Sequence, residues 1–504
     1  MNAPSKEHNA SRDVVRGVVW AVLMRWSMRF IGLFSTLILA RLLTPDDFGV
    51  AAMGTLVLSL LTQMSEFGTS MHLIRAKEID DAHCHTAWTV TLLQGCFVAA
   101  GLFVAATPAA IYFDEPRVVD VMHVLALAAL IGGFENVGPV LMRREMQFSK
   151  DFRFNVFKKL FVFVATVSSA FALRSYWALV IGNLVGTSVG VVLSYVVHKY
   201  RPRFSLARGR EYLQFGLAII PLALANTLRD MLPSFLAAGA GSTSTLGSFR
   251  VASELSSMFT TEIVTPMGRG LLPNYARLAD RPDELSAMYR RILGLVALVC
   301  LPVGAGVSAI SSDLVFVLLG PQWGFAGELM QYFAIGAAIF AFSVAMVNQI
   351  LVATGHEQRA AKLAWVRLGI TLPVLWAGLQ IGGVVGLSQA TIVAPLLSLV
   401  QIYREVSRVV TLTVPVLLGA VWRPALAAAC MFLAVKLLHA EAVDSAVVRL
   451  ALDILAGAVV FVLSVLGLWW LSGKPNSAER DAVNAAARLF AMARLRVGRL
   501  AGKD

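Results

Sequence analysis

The sequence predicts an all-α integral membrane protein with about fourteen transmembrane helices. Apolar residues make up 57% of the 504-residue chain and charged residues only 15%, against roughly 25% charged residues in an average soluble protein. A soluble chain of this length would need charged surfaces over several domains, so lipid must cover much of this one. Fourteen spans would use about 300 residues at roughly 20 to 22 residues each. The composition therefore argues against a soluble enzyme, a disordered chain and a nucleic-acid-binding protein.

Fourteen apolar segments follow one another along the chain. Each is long enough for a helix that crosses the hydrocarbon, and the polar connections are too short to hold a folded domain. The first segment continues from Val14 to Ala40, which predicts a retained helix and not a cleaved signal peptide. The predicted segments are 14–40, 48–71, 86–111, 119–142, 154–173, 176–197, 212–238, 245–272, 287–310, 326–352, 363–380, 384–403, 424–440 and 446–472.

The distribution of cations predicts the orientation. Of the 43 Lys and Arg residues, 34 lie on one alternate set of connections and tails, and only five lie at the opposite connections or helix ends. Loops that face the cytoplasm carry the excess of Lys and Arg. We therefore expect a multi-pass protein with both termini in the cytoplasm.

The sequence contains weak internal repeats. Phe48-Gly49 opens the second segment and Leu246-Gly247 opens the eighth, while 121–126 resembles 329–334 at a similar offset. These matches predict two pseudo-symmetric six-helix lobes with the substrate path between them, a common plan of transporters. The predicted divisions are 1–198 for the first lobe, 199–403 for the second, 404–472 for two added helices and 473–504 for a basic cytoplasmic tail.

Several stretches resemble one family of membrane transporters. The stretch Ala40-Arg-Leu-Leu-Thr-Pro-Asp-Asp-Phe-Gly49, followed by Glu66-Phe-Gly68, is similar to the start of Wzx-like polysaccharide flippases. Leu319-Gly-Pro-Gln-Trp323 also resembles them. These flippases belong to the multidrug/oligosaccharidyl-lipid/polysaccharide (MOP) exporter superfamily. The resemblance implies transport, and not catalysis, of an undecaprenyl-diphosphate-linked oligosaccharide from the inner to the outer leaflet of a bacterial inner membrane, through a cationic central cavity.

Four arginines inside predicted helices are the candidates for that cavity. Arginine replaces water around a diphosphate with several fixed donors, and a cation within a span is a functional candidate because burying it is costly. Arg25 and Arg29 share a face of the first helix, although pairing with Glu66 or Glu135 is the alternative. If helix 7 is the counterpart of helix 1, Arg229 faces them, unless it forms a structural pair. The fourth candidate is Arg250.

Carboxylates within the spans are candidates for coupling to an ion gradient. Glu262 has no cation four residues away, and a buried carboxylate of that kind suits proton or sodium coupling; interhelical hydrogen bonding is the alternative. The further candidates are Glu254, which can pair with Arg250, and Asp230, Glu66 and Glu135, for which structural pairing remains open. The sequence predicts no cofactor and no metal site, because His83-Cys84-His85 is a poor tetrahedral set and no phosphate-binding loop is present.

The tail from Asn476 predicts a short amphipathic helix. Asn476 and Glu479 can form a capping box, and apolar residues at a three-to-four spacing continue to Leu500 among five arginines. Such a helix suits the anionic inner leaflet; a poorly ordered basic tail is the alternative.

Two other functions compete with a flippase. A drug or cation antiporter of the same superfamily should have an acidic cavity, whereas this chain places arginines in its helices. A membrane polysaccharide polymerase should have a long outer loop for its active site, and the outer connections here are short. The expected partners are the lipid-linked oligosaccharide, the membrane and, as an open alternative, polysaccharide polymerase machinery; no nucleic acid is expected.

The topology is directly testable. Single cysteines in the loops near Arg75, Arg143, Arg203, Arg281 and Arg359 should resist a membrane-impermeant thiol reagent in intact cells, because cation-rich loops stay in the cytoplasm. They should react after the membrane is permeabilised. Labelling of any of these loops from outside would contradict the fourteen-helix arrangement.

Overall fold

The computed structural model describes most of the chain. It covers residues 4–66, 68–76, 78–343, 345–410, 413–438, 445–484 and 487–488. Side chains are described from Trp20 onward within those ranges, except at 21, 218, 219, 222, 261–273, 345, 346, 348, 349 and 357.

The described chain is a succession of helices. Their bounds are α1 Pro4–Leu42, α2 Pro45–Ser65, α3 Thr69–Arg75, α4 Asp81–Phe113, α5 Val118–Gly133, α6 Gly138–Arg144, α7 Phe148–Leu173, α8 Trp177–Val197, α9 Gly209–Ala240, α10 Thr243–Arg277, α11 Pro282–Ala309, α12 Ser311–Leu318, α13 Gly324–Ser343, α14 Ala345–Ala353, α15 Glu357–Val406, α16 Val414–Leu438 and α17 Ala446–Leu471. A 3-10 turn, Pro321–Trp323, precedes α13.

Ten of these helices are long and apolar enough to cross a membrane within the described ranges, or eleven if α5 and α6, which meet at 56°, form one bent span. The chain is therefore an all-helical, multi-pass membrane protein, as the composition predicts. Helices α9 and α10, which include side chains outside the description, are not among the ten. The count of fourteen stays a prediction.

The predicted break between the segments 363–380 and 384–403 lies inside α15. Gly382 and Gly383 leave helical geometry there, and Gly383 has φ = 59°, which glycine adopts without a steric cost. A Cβ on Gly378 would lie 2.5 Å from the carbonyl oxygen of Gly386. Eight residues of continuous helix would separate these glycines by about 12 Å, so the chain folds back on itself at 382–383.

The chain packs as two compact units, Met1–Arg250 and Val251–Asp504. In the first unit, α4 packs against α5, α7 packs against α8, and α9 lies on α2, α3 and α4. In the second unit, α11 packs against α13 and α16, and α16 packs against α17. This division reflects packing, so the repeat-based lobes 1–198 and 199–403 stay a prediction.

Two glycines in the first unit allow an exceptionally close helix contact. A Cβ on Gly49, in the first turn of α2, would collide with the backbone carbonyl of Thr243, the first residue of α10. A Cβ on Gly247, in the next turn of α10, would collide with the carbonyl of Pro45. The two glycines that the repeat comparison pairs are therefore in reciprocal contact where α2 and α10 begin. We call this pair of contacts the glycine crossing.

Any side chain at the glycine crossing should push the two helices apart. Gly49→Ala and Gly247→Ala should each destabilise the protein by about 1–3 kcal/mol, because rigid backbone atoms occupy the space. Thermal unfolding of the purified protein measures the effect. Gly467→Ala in α17 is the control, because nothing lies within 4 Å of a Cβ there. Equal unfolding temperatures for all three variants would contradict the contact.

Candidate functional site

An ion-pair network surrounds the glycine crossing. We call it the Arg117 network, and it consists of Thr44, Asp46, Asp47, Glu115, Arg117, Tyr176 and Thr243. It draws together the connections α1–α2, α4–α5, α7–α8 and α9–α10. These short polar connections, which are separate in the sequence, are therefore joined to one another by hydrogen bonds and ion pairs.

Arg117 is the hub of this network. Its Nε and Nη2 donate to the two carboxylate oxygens of Glu115 at 2.8 and 2.6 Å, and its Nη1 donates to Asp46 Oδ2 at 2.9 Å. The guanidinium also lies 5.8 Å from the ring centre of Tyr176. A planar fork with several donors is suited to holding two carboxylates at once.

The neighbouring groups complete the network. Thr44 and Asp47 form the capping box of α2, and the other Asp47 oxygen accepts a 2.8 Å hydrogen bond from the backbone N–H of Tyr176. Thr243 Oγ1 donates to Glu115 at 3.3 Å. The side chain of Glu115 is only 11% exposed. Hydrogen bonds from Arg117 hold the pKa of the Glu115 carboxyl below its usual range, against the effect of burial, and the pKa of Arg117 is raised in turn.

A second polar cluster lies where α4 and α9 begin. Asp80 caps α4 and contacts His83 Nδ1 at 2.6 Å, while His83 Nε2 lies 3.5 Å from Glu211. Arg208 closes the ring with contacts of 2.9 Å to Glu211 and 3.3 Å to Asp80. Hydrogen bonds from His83 lower the pKa of Asp80 to about 2. In the sequence this histidine stretch suggests only a poor metal site, and no local pattern predicts the ring, which ties α9 to α4.

The two arginines of α1 lie on the helix that packs against α7. Arg25 and Arg29 are both half-buried, and they lie between two contacts with α7: Trp20 with Phe152, and Gly32 with Lys159. The alternative partner Glu135 instead lies 3.6 Å from Lys158, and Glu66 is exposed at the end of α2. The cavity role of Arg25 and Arg29 stays a prediction.

Arg229 and Asp230 are bonded to each other despite being adjacent on α9. Nε and Nη2 of Arg229 donate to the same oxygen of Asp230 at 3.0 and 2.6 Å. The arginine is largely buried and the aspartate is exposed, with side-chain exposures of 14% and 65%. Neighbours about 100° apart on a helix are not expected to satisfy each other fully. Both donors reach the same carboxylate oxygen, so the pair is bonded through only one oxygen of Asp230.

The candidates on α10 are described only in part. Arg250 and Glu254 are both exposed on this helix. Glu262 lies among the residues whose side chains are outside the description. The described residues do not test whether the coupling candidates share a site, and each remains a prediction.

Two ion pairs, one half-buried and one buried, were not foreseen from the sequence. Arg449 of α17 donates two 2.7 Å hydrogen bonds to Asp313 of α12. Arg423 of α16 bonds to Glu479 of the tail at 2.7 Å, with side-chain exposures of only 8% and 3%. Arg423 and Arg449 lie at the edges of predicted apolar segments, where a loop cation and a buried cation look alike in a sequence.

The fold and these charges define a multi-pass membrane protein of the transporter class. The chain belongs to the family described as Polysaccharide biosynthesis protein, which matches residues 38–327. The match includes the Ala40–Gly49 stretch and confirms the resemblance to the polysaccharide flippases of the MOP superfamily.

Individual relatives agree with this membership. The lipopolysaccharide biosynthesis protein WzxC of Escherichia coli (strain K12) is 22% identical over 77% of this chain and 80% of its own length. The succinoglycan biosynthesis transport protein ExoT of Rhizobium meliloti (strain 1021) is 24% identical, with coverages of 65% and 67%. Among solved structures, the lipid II flippase MurJ in an inward closed conformation superposes with a TM-score of 0.73 at 10% identity, covering 90% of this chain and 99% of that one.

Removing the Arg117 hub should loosen the glycine crossing. Arg117→Ala leaves the buried Glu115 carboxylate without its main donors, which should cost about 1–3 kcal/mol. Unfolding of the single variants Arg117→Ala and Glu115→Gln and of the double variant measures the coupling, expected at about 0.5–3 kcal/mol. Additive effects of the two substitutions would contradict a direct role for the pair.

The same pair predicts a pH dependence. Because the folded-state pKa of Glu115 is depressed, its stabilising contribution is complete above the unfolded carboxyl pKa of about 4.3. It is lost as the pH falls through the lower folded-state value. As the pH falls below about 4.3, the free energy of unfolding should decrease more steeply for the wild-type protein than for Glu115→Gln.

Proposed function

We propose that this protein moves an undecaprenyl-diphosphate-linked oligosaccharide from the inner to the outer leaflet of a bacterial inner membrane, for synthesis of a surface polysaccharide or exopolysaccharide. The observation that carries this proposal is the family match over residues 38–327. The names of the relatives WzxC and ExoT place both in polysaccharide biosynthesis, and the second is named as a transport protein.

The proposed topology has fourteen spans with both termini in the cytoplasm. Helices overlap each of the fourteen predicted apolar segments, and the fold-back at Gly382–Gly383 separates segments eleven and twelve. The alternating distribution of 34 and five cations supports this orientation. In it, α2 and α10 both begin at the outer face.

The glycine crossing then has a function in alternating access. It lies at the outer ends of the second and eighth spans, and the Arg117 network reinforces it. A substrate that leaves outward must pass between these helix ends, so we propose that the glycine crossing closes the outer side. The close fit between glycines allows a dry contact with few side chains to rearrange.

The proposed cavity cations are Arg25, Arg29, Arg229 and Arg250. A diphosphate crossing hydrocarbon must exchange its water for protein donors. Arg229 retains a largely buried guanidinium beside an exposed carboxylate, and Asp230 is one of the groups that can carry a coupling ion. Glu262, Glu254, Glu66 and Glu135 are the others. Transport that persists after both the proton and sodium gradients are collapsed would remove this coupling proposal.

A drug antiporter of the same superfamily remains the second candidate. It would need acidic groups exposed in its cavity to hold a cationic drug. The family match and the half-buried arginines of α1 favour an anionic substrate instead.

A deletion strain tests the proposed function. Loss of the gene should abolish the surface polysaccharide and leave its lipid-linked repeat unit in the inner leaflet, where a membrane-impermeant reagent cannot reach it. Expression of the intact chain should restore both. Normal surface polysaccharide in the deletion strain would contradict the proposal.

Substitutions of a cavity arginine should weaken substrate binding to different degrees. Each charge-assisted hydrogen bond contributes about 1.5–3 kcal/mol, so Arg29→Ala should weaken substrate binding roughly ten- to a hundredfold. Arg29→Lys should be less defective, because it keeps the charge and loses the fork. Binding of the labelled carrier lipid to purified variants measures this.

Arg210→Ala is the control for these variants, because this exposed arginine of α9 makes no ion pair within the described part of the chain. It should bind substrate as the wild type does. Normal polysaccharide export by a variant with alanine at 25, 29 and 229 would refute the cavity assignment, even with the fold unchanged.

A further inference from the structure

A cleft of about 690 Å³ opens in the second unit between the first turns of α11, the first half of α16 and the start of the tail. We call it the tail cleft. Its apolar lining includes Met288, Val416 and Ala420, while Arg290 and Arg291 line it from α11. The tail cleft is therefore amphipathic, with an apolar surface and a cationic edge.

The tail is anchored beside this cleft by a buried ion pair. A short helix begins at Ala478, so Ser477 takes the N-cap position that the sequence analysis gave to Asn476. Glu479 does not complete a capping box, because Arg423 binds its carboxylate. Burial raises the pKa of Glu479, but hydrogen bonds from Arg423 and Ser477 outweigh that effect and lower it. Ala478 also packs on Gly294 of α11.

A second carboxylate of the tail occupies the cationic edge. Both oxygens of Asp481 accept hydrogen bonds from Nε and Nη2 of Arg291, in the paired geometry that arginine also offers to a phosphate. Unlike the buried pair, this pair lies at the surface, with 64% of the Arg291 side chain exposed. An exposed ion pair contributes little to stability, so another anion can replace the carboxylate without releasing the tail.

The neighbouring Arg290 is available to bind an anion. Arg290 is exposed, and it forms no ion pair with any residue that the structure describes. The other carboxylate of the tail cleft, Glu284, is held by Arg281 at 3.3 Å. One guanidinium with no ion pair among the described residues and one exchangeable guanidinium thus line the same cleft as apolar side chains.

We propose that the tail cleft binds an anionic glycerophospholipid of the membrane that surrounds the protein. Arg290 and Arg291 hold the phosphate, and the apolar lining of the cleft receives the glycerol and the first methylenes of the acyl chains. The phosphate displaces the carboxylate of Asp481, while the Arg423–Glu479 pair keeps the tail docked. Basic pockets at the membrane surface between helices are suited to such headgroups, and the proposal does not depend on the transported substrate.

Three variants of the full chain test this site. Gly419→Phe should fill the tail cleft without a clash, because nothing lies within 4 Å of a Cβ at this position. Arg290→Ala removes the free donor. Asp481→Asn removes the competing charge, so it should have the opposite effect on affinity. Gly467→Phe is the matched glycine control, because it too has open space around its Cβ.

The purified protein in detergent is titrated with phosphatidylglycerol, and binding is measured as the rise in the unfolding temperature. Arg290→Ala and Gly419→Phe should weaken binding about tenfold or more, Asp481→Asn should tighten it severalfold, and Gly467→Phe should match the wild type. Phosphatidylcholine should bind no variant with comparable affinity.

Two results would overturn the proposal. One is unchanged phosphatidylglycerol affinity in both Gly419→Phe and Arg290→Ala. The other is binding of undecaprenyl phosphate or inorganic phosphate by the tail cleft in place of phosphatidylglycerol, because the occupant would then be the carrier lipid or a free anion. If the Arg291–Asp481 pair were purely structural, Asp481→Asn would only destabilise the protein. It would not increase the affinity for phosphatidylglycerol.

Discussion

The glycine crossing is the contact on which the first unit depends. Backbone atoms of Thr243 and Pro45 occupy the positions where Gly49 and Gly247 would carry side chains. Four interhelical connections converge around it, and Arg117 joins two carboxylates from different connections. A contact made by backbone and ion pairs, with little side-chain interdigitation, can close tightly and still separate as a unit. That combination is what the proposed alternating access requires of an outer closure.

Charges in this protein are used in two ways. Arg117, Arg423 and Arg449 are bonded to carboxylates, and in the last two cases the pair is largely buried, so both members must be present to offset desolvation. The second use is the one proposed above for Arg25, Arg29 and Arg229, as donors to the diphosphate of a transported lipid. Arginine suits both purposes because one planar group can hold a fixed carboxylate or receive a transported diphosphate.

Apolar length was sufficient to predict an all-helical membrane protein and the break near Gly382–Gly383. It did not predict that segment 48–71 divides into α2 and α3, or that segment 119–142 bends between α5 and α6. Contacts over long distances were not predictable. Gly49 and Gly247 were recognised as repeat markers, but only the fold shows that they meet. Glu479 matched a capping pattern, yet the buried guanidinium of Arg423, 56 residues away, binds it more strongly. Arg117 carried no signal beyond its charge.

The most direct test of the proposed function is transport by the purified protein in sealed vesicles. Undecaprenyl-diphosphate-linked oligosaccharide with a labelled sugar is placed in both leaflets, and the outer pool is oxidised by an impermeant reagent. With the protein present, labelled sugar from the inner leaflet should become accessible over time, and it should stay protected in protein-free vesicles. Proton and sodium gradients are imposed in both preparations. If the labelled sugar of the inner leaflet is equally protected with and without correctly inserted protein, the assignment as a flippase is contradicted.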